Sequence, residues 1–268
     1  MKNRKCIVYV DGGICSQICQ YMIGYQLMQQ GFDVEFDLSW YMLDGHDLNG
    51  KKNRKFDLLK LCPSLKMKRA SYTKSIFYKK LYSLKDTELD FTKFNTRNYL
   101  GEYYALSCNQ YRNMKNVLHI NPIINDENKK ILDEIRNRNN TVGVHVRRGD
   151  MAKPGGYWQV ISAEYYLKAM KMFPNMTFYF FSDDVQWVKE NIISKVPEYS
   201  CEIVNCNTDD NGYLDLNLLR YCRNYICSSG SLGKIACILS DYENKRIVLP
   251  RGEHKIWREV FENQYILL

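Results

Sequence analysis

The residues of this chain best suited to chemistry are His145, Arg147, Arg148 and Asp150, which lie within one short segment. They follow Thr141-Val142-Gly143-Val144, an apolar stretch rich in β-branched residues that is typical of a strand. Because side chains alternate between the faces of a strand, His145 and Arg147 are expected to project together from its end. Two arginines leaving an apolar strand are costly to bury without a charged partner. The pattern predicts an anion site, with a structural ion-pair cluster as the alternative.

Two further segments place small residues between a predicted strand and a predicted helix. The first is Asp11-Gly12-Gly13, and the second is Ser228-Ser229-Gly230-Ser231. The free N–H groups and positive dipole end of a helix N-terminus favour a phosphate. The first segment lacks the G-x-G-x-x-G spacing and the ending of a P-loop, so a plain strand-to-helix turn is the simpler interpretation there. Asp183 and Asp184 follow another strand, where a carboxylate can bind a nucleobase or ribose, or cap the next helix.

These segments depend on alternating strands and helices for their positions. From residue 141 onward the patterns predict strands over 141–147, 177–181, 201–204, 225–227 and 246–249, separated by helices. Repeated β-α-β units predict a parallel sheet covered on both faces, with ligands at the carboxyl ends of its strands. The N-terminal part starts similarly, with strands over 6–10 and 32–38 around a helix ended by Gly31. A charged helix over 126–138 leads to the second part, so the predicted domains are residues 1–140 and 141–268.

Composition limits the classes of partner without choosing between them. The chain has 268 residues and a net charge of +8, which suits an anionic ligand, a nucleic acid or an acidic membrane surface. A nucleic-acid binder is disfavoured, since the arginine pair lies at a strand end rather than along a recognition helix or stacking platform. Basic residues concentrate within residues 51–80, a candidate for peripheral membrane contact or simply a solvated surface.

The ten cysteines do not predict a disulfide framework. The apolar run Cys6–Val10 is too short for a signal peptide, and no window approaches the roughly 20 apolar residues of a transmembrane helix. We therefore expect a reduced, cytoplasmic protein that uses cysteine as an apolar filler. A zinc site built from Cys201, Cys206, Cys222 and Cys227 is disfavoured, because these residues adjoin apolar strands and lack a nearby histidine.

Several segments together resemble one enzyme family. His145-Val146-Arg147-Arg148-Gly149-Asp150 is similar to the HxRRxD motif of the α-1,2-fucosyltransferases, glycosyltransferase family 11. The resemblance covers nearly the whole chain in order and spacing. It includes Gly12-Gly13 through Gln17 and Gln20-Tyr21, Tyr99 to Tyr111, Ser162 to Tyr166, Phe181-Ser182-Asp183-Asp184, and Gly230 to Ala236.

The resemblance implies an α/β, GT-B-like fold of two Rossmann-like parallel-sheet units with a cleft between them. The N-terminal unit would face the acceptor, and the C-terminal unit would bind the donor, GDP-β-L-fucose. The implied reaction is an inverting transfer to the 2-hydroxyl of galactose that needs no metal or other cofactor. The resemblance assigns the donor site to Gly12, Gly13, Gln17, His145, Arg148, Asp183, Asp184, Ser228, Ser229, Gly230 and Ser231.

Particular roles follow from the same resemblance. Arg147 would stabilise the β-phosphate, because a guanidinium can bind it through two hydrogen bonds. His145 would contact the nucleotide and Asp183 would bind guanine. Asp150 is the first candidate for the general base, or else a brace for the arginines, with Glu164 and Asp11 as further candidates.

The sequence also departs from the family pattern at two places. Ile14-Cys15-Ser16 stands where relatives have Leu-Gly-Asn, and Ile235 stands where relatives have tryptophan. The first change concerns the phosphate-side turn, and the second concerns either the acceptor or packing. The expected acceptor is a galactose-containing surface glycan of the O-antigen, capsule or H-antigen type, free or lipid-linked. The alternatives are another GDP-sugar donor and a binding protein without turnover.

Overall fold

The chain folds into two compact α/β units, Met1–Gln110 and Tyr111–Leu268. A computed structural model describes residues 4–43, 45, 54–84, 90, 93–101, 106–149, 152, 160–207 and 211–268. Within these ranges every strand pairing in the two sheets is parallel. The α/β prediction is confirmed, and the two units are called unit 1 and unit 2 below.

Unit 1 is built around the first strand of the chain. In the part of this unit that the structure describes, the sheet has the order β2-β1-β3, with β1 (Lys5–Tyr9), β2 (Asp33–Asp37) and β3 (Arg97–Leu100). Cys6, Ile7 and Val8 are buried, as expected for a central parallel strand covered on both faces. The helices are α1 (Ile14–Gln29), α2 (Trp40–Leu43), α3 (Leu58–Leu61) and α4 (Tyr72–Tyr82), followed by α5 (Cys108–Val117) at the unit boundary.

The end of α1 shows how the sequence fixes an element boundary. Gly31 has a φ of +80°, a left-handed conformation that favours glycine. Its N–H donates to the carbonyl of Met28 at 3.0 Å, and the N–H of Phe32 donates to that of Leu27 at 3.1 Å. These bonds satisfy the last carbonyls of the helix and turn the chain toward β2. The predicted helix end at Gly31 is confirmed.

Unit 2 contains a larger parallel sheet. Its described strands are β4 (Thr141–Val146), β5 (Thr177–Ser182), β6 (Ser200–Val204), β7 (Asn224–Ile226), β8 (Ile247–Leu249) and β9 (Tyr265–Leu267). The spatial order is β6-β5-β4-β7-β8-β9. The chain therefore runs outward from β4 to one edge, returns to the centre and runs outward to the other edge. This is the Rossmann strand order, in which ligands bind where the direction reverses.

Helices separate the strands of unit 2. They are α6 (Asp126–Asn137), α7 (Ala163–Met170), α8 (Val185–Asn191), α9 (Gly212–Leu219), α10 (Leu232–Leu239) and α11 (Lys255–Phe261), with 3-10 turns at Ile193–Lys195 and Glu262–Gln264. The main core lies between the sheet and helices α7 and α8, where Val144, Tyr166, Phe173, Phe178 and Phe180 are buried.

The boundary between the units differs from the one predicted near residue 140. Residues 111–140 belong to unit 2 because their side chains bond to later elements. Arg112 Nη2 donates to the carbonyl of Glu259 at 2.6 Å, and Asn128 Nδ2 donates to Asn207 Oδ1 at 2.9 Å. The sequence pattern around α6 indicates a helix without revealing which sheet that helix packs on.

The cysteines are all free thiols, and six of them are buried: Cys6, Cys19, Cys62, Cys222, Cys227 and Cys237. Burial raises the pKa of the Cys227 thiol to about 12, so this group stays protonated and unreactive. The interpretation of these six residues as apolar filler is thereby supported. Among the described residues, no helix combines the length and apolar character needed to cross a membrane.

Candidate active site

The reversal of strand order in unit 2 brings together three segments that are distant in sequence. β4 lies between β5 and β7, with Val146 opposite Ser182 and Val144 opposite Ile226. Arg147 therefore follows β4 at the same edge where Asp183 follows β5 and Ser228 follows β7. The carboxyl edge of the sheet thus carries the predicted cationic, carboxylate and small-residue segments side by side.

His145 links the end of β4 to the segment that follows β7. Its Nδ1 lies 3.0 Å from Ser228 Oγ and accepts the N–H of Gly233 at 3.4 Å. Ser228 Oγ also accepts the N–H of Gly230 at 3.3 Å, so its own proton is available for His145. Nδ1 is then an acceptor, and the proton of the neutral ring lies on Nε2.

The protonation state of His145 is set by its surroundings. The side chain is buried, and Arg147 and Lys234 add positive charge nearby. Burial first, and then these two cations, lower the pKa of His145 from 6.5 to about 3. The imidazole is therefore neutral at physiological pH. A neutral ring is better suited to donating a hydrogen bond to a ligand than to pairing with the charge of a phosphate.

Gly230 lies against the arginine-bearing segment. A Cβ atom on Gly230 would stand 3.0 Å from His145 Cε1 and 3.3 Å from Arg147 Cβ. These distances are tighter than ordinary packing allows, so a larger residue would displace either His145 or Arg147. The glycine of this segment is therefore required for close approach of the two chain segments.

Arg147 and Arg148 are braced by the acidic pair that follows β5. The Arg147 guanidinium pairs with Asp183 Oδ2, and Asp183 Oδ1 accepts the N–H of Arg148 at 2.8 Å. Both oxygens of Asp183 bond within the protein, so Asp183 braces the two arginines, and its predicted contact with guanine stays a prediction. The Arg147 side chain remains 22% exposed and is reachable from solvent.

Arg148 is held differently from Arg147. Its guanidinium carbon lies 3.8 Å from the ring centroid of Trp187, and its Nε donates to Asp184 Oδ2 at 3.3 Å. Asp184 Oδ1 accepts the N–H of Trp187 at 3.1 Å and caps α8. The cap of this helix is thus Asp184, while the donor contacts predicted for Asp184 and Arg148 stay predictions.

A buried ion pair that the sequence analysis missed holds the segment after β7. The Lys234 side chain is fully buried, and its Nζ donates to the carbonyls of Ser228 and Ser229, each at 3.1 Å. Nζ also pairs with Glu253, and Trp257 lies beside it with its ring centroid 5.3 Å away. Drawing two carbonyls toward Lys234 fixes the backbone from which α10 starts. A single lysine inside the apolar run Leu232–Leu239 was the available signal.

Comparison with known proteins identifies the family. The model of glycosyl transferase family 11 matches residues 53–255. The chain belongs to glycosyl transferase family 11. The resemblance to this family noted from the motifs is thereby confirmed.

One curated relative of this family 11 member is the O-antigen biosynthesis glycosyltransferase WbnK of Escherichia coli. It is 30% identical over 146 residues, which cover 52% of this chain. The matched part spans 44% of that relative's length.

Solved structures resemble the chain over most of its length. The glycosyl transferase family 9 structure from Veillonella parvula has a TM-score of 0.52 and 10% identity, over 100% of this chain and 87% of that one. The fucosyltransferase NodZ from Bradyrhizobium has a TM-score of 0.49 and 13% identity, over 90% and 94%. The predicted GT-B-like fold class is confirmed, while the cleft between the units stays a prediction.

The glycine turn of unit 1 is built from neutral hydrogen bonds. Gln17 is fully buried, and its Nε2 donates to the carbonyls of Gly12 at 3.2 Å and Lys55 at 2.9 Å. Its Oε1 accepts the N–H groups of Asp57 and Leu58, both at 2.9 Å. The carboxamide is saturated within unit 1, which indicates a structural role, and the predicted contact of Gln17 with the donor stays a prediction.

Gly12 itself adopts a φ of +70°, and its carbonyl also accepts the Tyr41 hydroxyl at 3.0 Å. Arg54 closes over Gly13, where a Cβ atom would stand 2.7 Å from Arg54 Nη1. The backbone contacts of Gly12 and Gly13 with a phosphate stay a prediction.

The two departures from the family pattern lie in different surroundings. The thiol of Cys15 is half-buried, whereas Ile235 is fully buried in α10. The Ile235 departure is accordingly a matter of packing.

The three candidates for the general base separate clearly. Glu164 is exposed and pairs with Lys168 at 2.7 Å, and this contact lowers the pKa of its carboxyl, so it is removed from the set. Asp11 Oδ1 accepts Gln20 Nε2 at 2.6 Å in unit 1, which holds the carboxylate in place after β1. Asp150 lies outside the described residues, and its role stays a prediction.

Within the described part of the chain, no group of three His, Cys, Asp or Glu residues is arranged to hold a metal ion.

Proposed function

We propose that this family 11 glycosyltransferase moves L-fucose from GDP-β-L-fucose to the 2-hydroxyl of a galactose, with inversion and without a metal. The observation that carries the proposal is the convergence of Arg147, His145 and Ser228–Ser231 at the reversal point of a Rossmann sheet. Such points bind nucleotides. The family resemblance supplies the donor and the linkage.

The transfer reaction requires positive charge beside the departing diphosphate. Cleavage of the bond to fucose leaves negative charge on the β-phosphate while the sugar acquires oxocarbenium character, as in related glycosyl chemistry. Arg147 is the reachable guanidinium at the carboxyl edge, and its pairing with Asp183 fixes its direction before the donor binds. A donor fixed in advance stabilises developing charge without reorganisation in the transition state.

The segment after β7 supplies the second part of the donor site. Backbone N–H groups of Ser229 and Ser231 precede α10, where the helix dipole favours an anion, while the Gly230 N–H is donated to Ser228 Oγ. Lys234 and His145 fix this backbone from below through the Ser228 and Ser229 carbonyls and Ser228 Oγ. We assign the diphosphate to Arg147 and these amides, and a hydrogen bond from neutral His145 to the nucleotide.

The acceptor is a galactose-containing surface glycan. The O-antigen name of the Escherichia coli relative supports this context. Asp150 or Asp11 would take the proton from the acceptor hydroxyl as the new bond forms.

The test is a GDP-release assay on the purified full chain with GDP-fucose and a panel of β-galactosides. Arg147→Ala is expected to lower kcat/KM by about 100-fold to 1000-fold, because removal of one fixed donor to a developing charge costs roughly 3 to 4 kcal/mol. Arg136→Ala is the matched control, since Arg136 is exposed on α6. Digestion of the product with a linkage-specific fucosidase identifies the α-1,2 bond, and addition of EDTA should leave the rate unchanged.

Two alternatives have distinct outcomes. Faster turnover with another GDP-sugar would change the donor and keep the site. Calorimetric binding of GDP-fucose without release of GDP from any acceptor would indicate a binding protein. Full activity of Arg147→Ala would refute the role assigned to this residue.

A further inference from the structure

Helix α4 in unit 1 exposes large apolar side chains on its outer face. Tyr72 is 45% exposed, Ile76 50%, Phe77 49% and Leu81 55%. The opposite face is buried in the usual way, with Tyr78 packed beside Ile7 and Tyr99 of the sheet. A helix lying on a sheet normally turns polar residues to solvent, so this outer face requires a different explanation.

The exposed residues are neighbours on the helix surface. Tyr72, Ile76 and Lys80 recur every four residues, and Phe77 and Leu81 form the adjacent row. Phe77 also contacts the Tyr82 ring edge-on, with 5.9 Å between ring centroids. The outer face is thus one continuous apolar strip with a lysine within it.

The charged residues next to this strip in the sequence are all basic. Residues 64–82 contain six basic residues and no acidic residue, namely Lys66, Lys68, Arg69, Lys74, Lys79 and Lys80. Lys68 and Lys74 pair with Glu35 of β2 at 2.7 and 2.6 Å. Lys79 lies 5.5 Å from the ring centroid of Tyr9, and Lys66, Arg69 and Lys80 are exposed.

We propose that the outer face of α4 docks on the surface of a membrane that contains anionic lipids. The apolar side chains would enter the boundary between headgroups and acyl chains, with the helix parallel to the surface. Long lysine side chains reach the phosphate level while their stems stay beside the apolar strip. Attraction of lysines to anionic lipid adds to the apolar contribution.

Charge favours a membrane over a second copy of the chain. A symmetric dimer through this face would bring the same lysines opposite each other, and like charges oppose such an interface. Anionic lipid headgroups neutralise the same lysines. The proposal narrows the expected membrane contact of residues 51–80 to a defined helix face.

The experiment is sedimentation of the full chain with vesicles of phosphatidylcholine alone or mixed with phosphatidylglycerol. We expect binding to the mixed vesicles and little to the neutral ones, weakening as salt is raised. Ile76→Ser/Phe77→Ser should abolish binding, and Lys79→Ser/Lys80→Ser should weaken it by about tenfold or more. The matched controls in unit 2 are Ile124→Ser, at a side chain 89% exposed, and Lys129→Ser/Lys130→Ser on α6.

Circular dichroism and thermal unfolding establish that each variant is folded. Absence of binding to the mixed vesicles, or unchanged binding of a folded Ile76→Ser/Phe77→Ser variant, would overturn the proposal. A dimer in analytical ultracentrifugation that this variant dissociates would assign the face to self-association instead. Vesicle binding needs no donor or acceptor, so its failure is independent of the proposed transferase activity.

Discussion

Segments that follow strands in unit 1 and in unit 2 look alike in sequence but are built differently. The turn after β1 in unit 1 is closed by neutral groups, with Gln17 binding four backbone atoms and Tyr41 binding Gly12. The segments after β4 and β7 in unit 2 are closed by charges, with Arg147 on Asp183 and Lys234 on Glu253. A glycine turn before a helix is therefore not in itself an anion site. What distinguishes the segment after β7 is a buried cation, Lys234, bonded to the carbonyls of Ser228 and Ser229, whereas Arg54 in unit 1 lies over Gly13.

The largest expected effect that tests this comparison is at Lys234. Lys234→Met leaves Glu253 buried without its cation, and such a loss costs about 3 to 5 kcal/mol of unfolding free energy. Lys234→Met/Glu253→Leu should recover most of that stability, because neither charge is then buried alone. The recovered variant should still bind GDP more weakly, since the Ser228 and Ser229 carbonyls lose their common donor.

Urea unfolding and calorimetric titration with GDP measure the two effects of the Lys234 variants separately. Lys171→Met, at an exposed lysine, is the control for the loss of one charge. Wild-type GDP affinity in the stable double variant would show that the pair serves folding alone.

The next effect concerns Gln17 in the neutral turn. Gln17→Leu keeps the approximate volume but removes four hydrogen bonds to the backbone, at about 3 kcal/mol in total, while the Gly12 carbonyl keeps the Tyr41 hydroxyl. GDP affinity of the folded variant should not change, because the Gln17 carboxamide is saturated within unit 1. Gln186→Leu on the surface of α8 is the matched control. A loss of GDP affinity in folded Gln17→Leu would place this turn in the donor site and break the comparison.

The smallest effect is a pH dependence from His145. Its folded pKa of about 3 lies below the unfolded value of 6.5, so the unfolded state binds more protons between these values. This residue's contribution to stability should fall by about 2 kcal/mol between pH 6.5 and pH 5. Asp215 changes the stability with pH in the opposite direction, because burial raises the pKa of its carboxyl to about 6.

The measurement is therefore the difference in unfolding free energy between wild type and His145→Asn at the two pH values. His119→Asn, at an exposed histidine, should leave the pH dependence as in wild type. Equal slopes for wild type and His145→Asn would contradict a neutral, buried His145.

Much of the fold followed from local pattern. The apolar runs of β4 and β5 predicted buried parallel strands, and both strands are buried as expected. Gly31 predicted the end of α1 because a left-handed residue there has few alternatives to glycine. The unit boundary was placed too late because nothing local shows that α6 reaches Asn207.

The site was predictable in its members more than in their roles. Arg147, His145 and the Ser228–Ser231 segment were selected from residue type and position at strand ends, and they do lie together. The structure adds bracing or capping contacts to Asp183, Asp184, Arg148 and Gln17, which the sequence alone did not assign because each contact depends on the partner that the fold brings to the side chain. The Asp183 contacts with Arg147 and Arg148 join residues that are 35 or more positions apart. The same is true of the Gln17 contacts with Lys55, Asp57 and Leu58.

The sequence by itself determined the family, the α/β class and the residues that could carry chemistry, because motifs and periodicity are local properties of the chain. Only the tertiary structure decided the strand order that places β4 beside β7, and with it which polar groups are already bonded. It also decided that Lys234 is a buried support and that the outer face of α4 is apolar and exposed. These outcomes depend on contacts between distant segments, whose free energies are set by burial and pairing rather than by residue type alone.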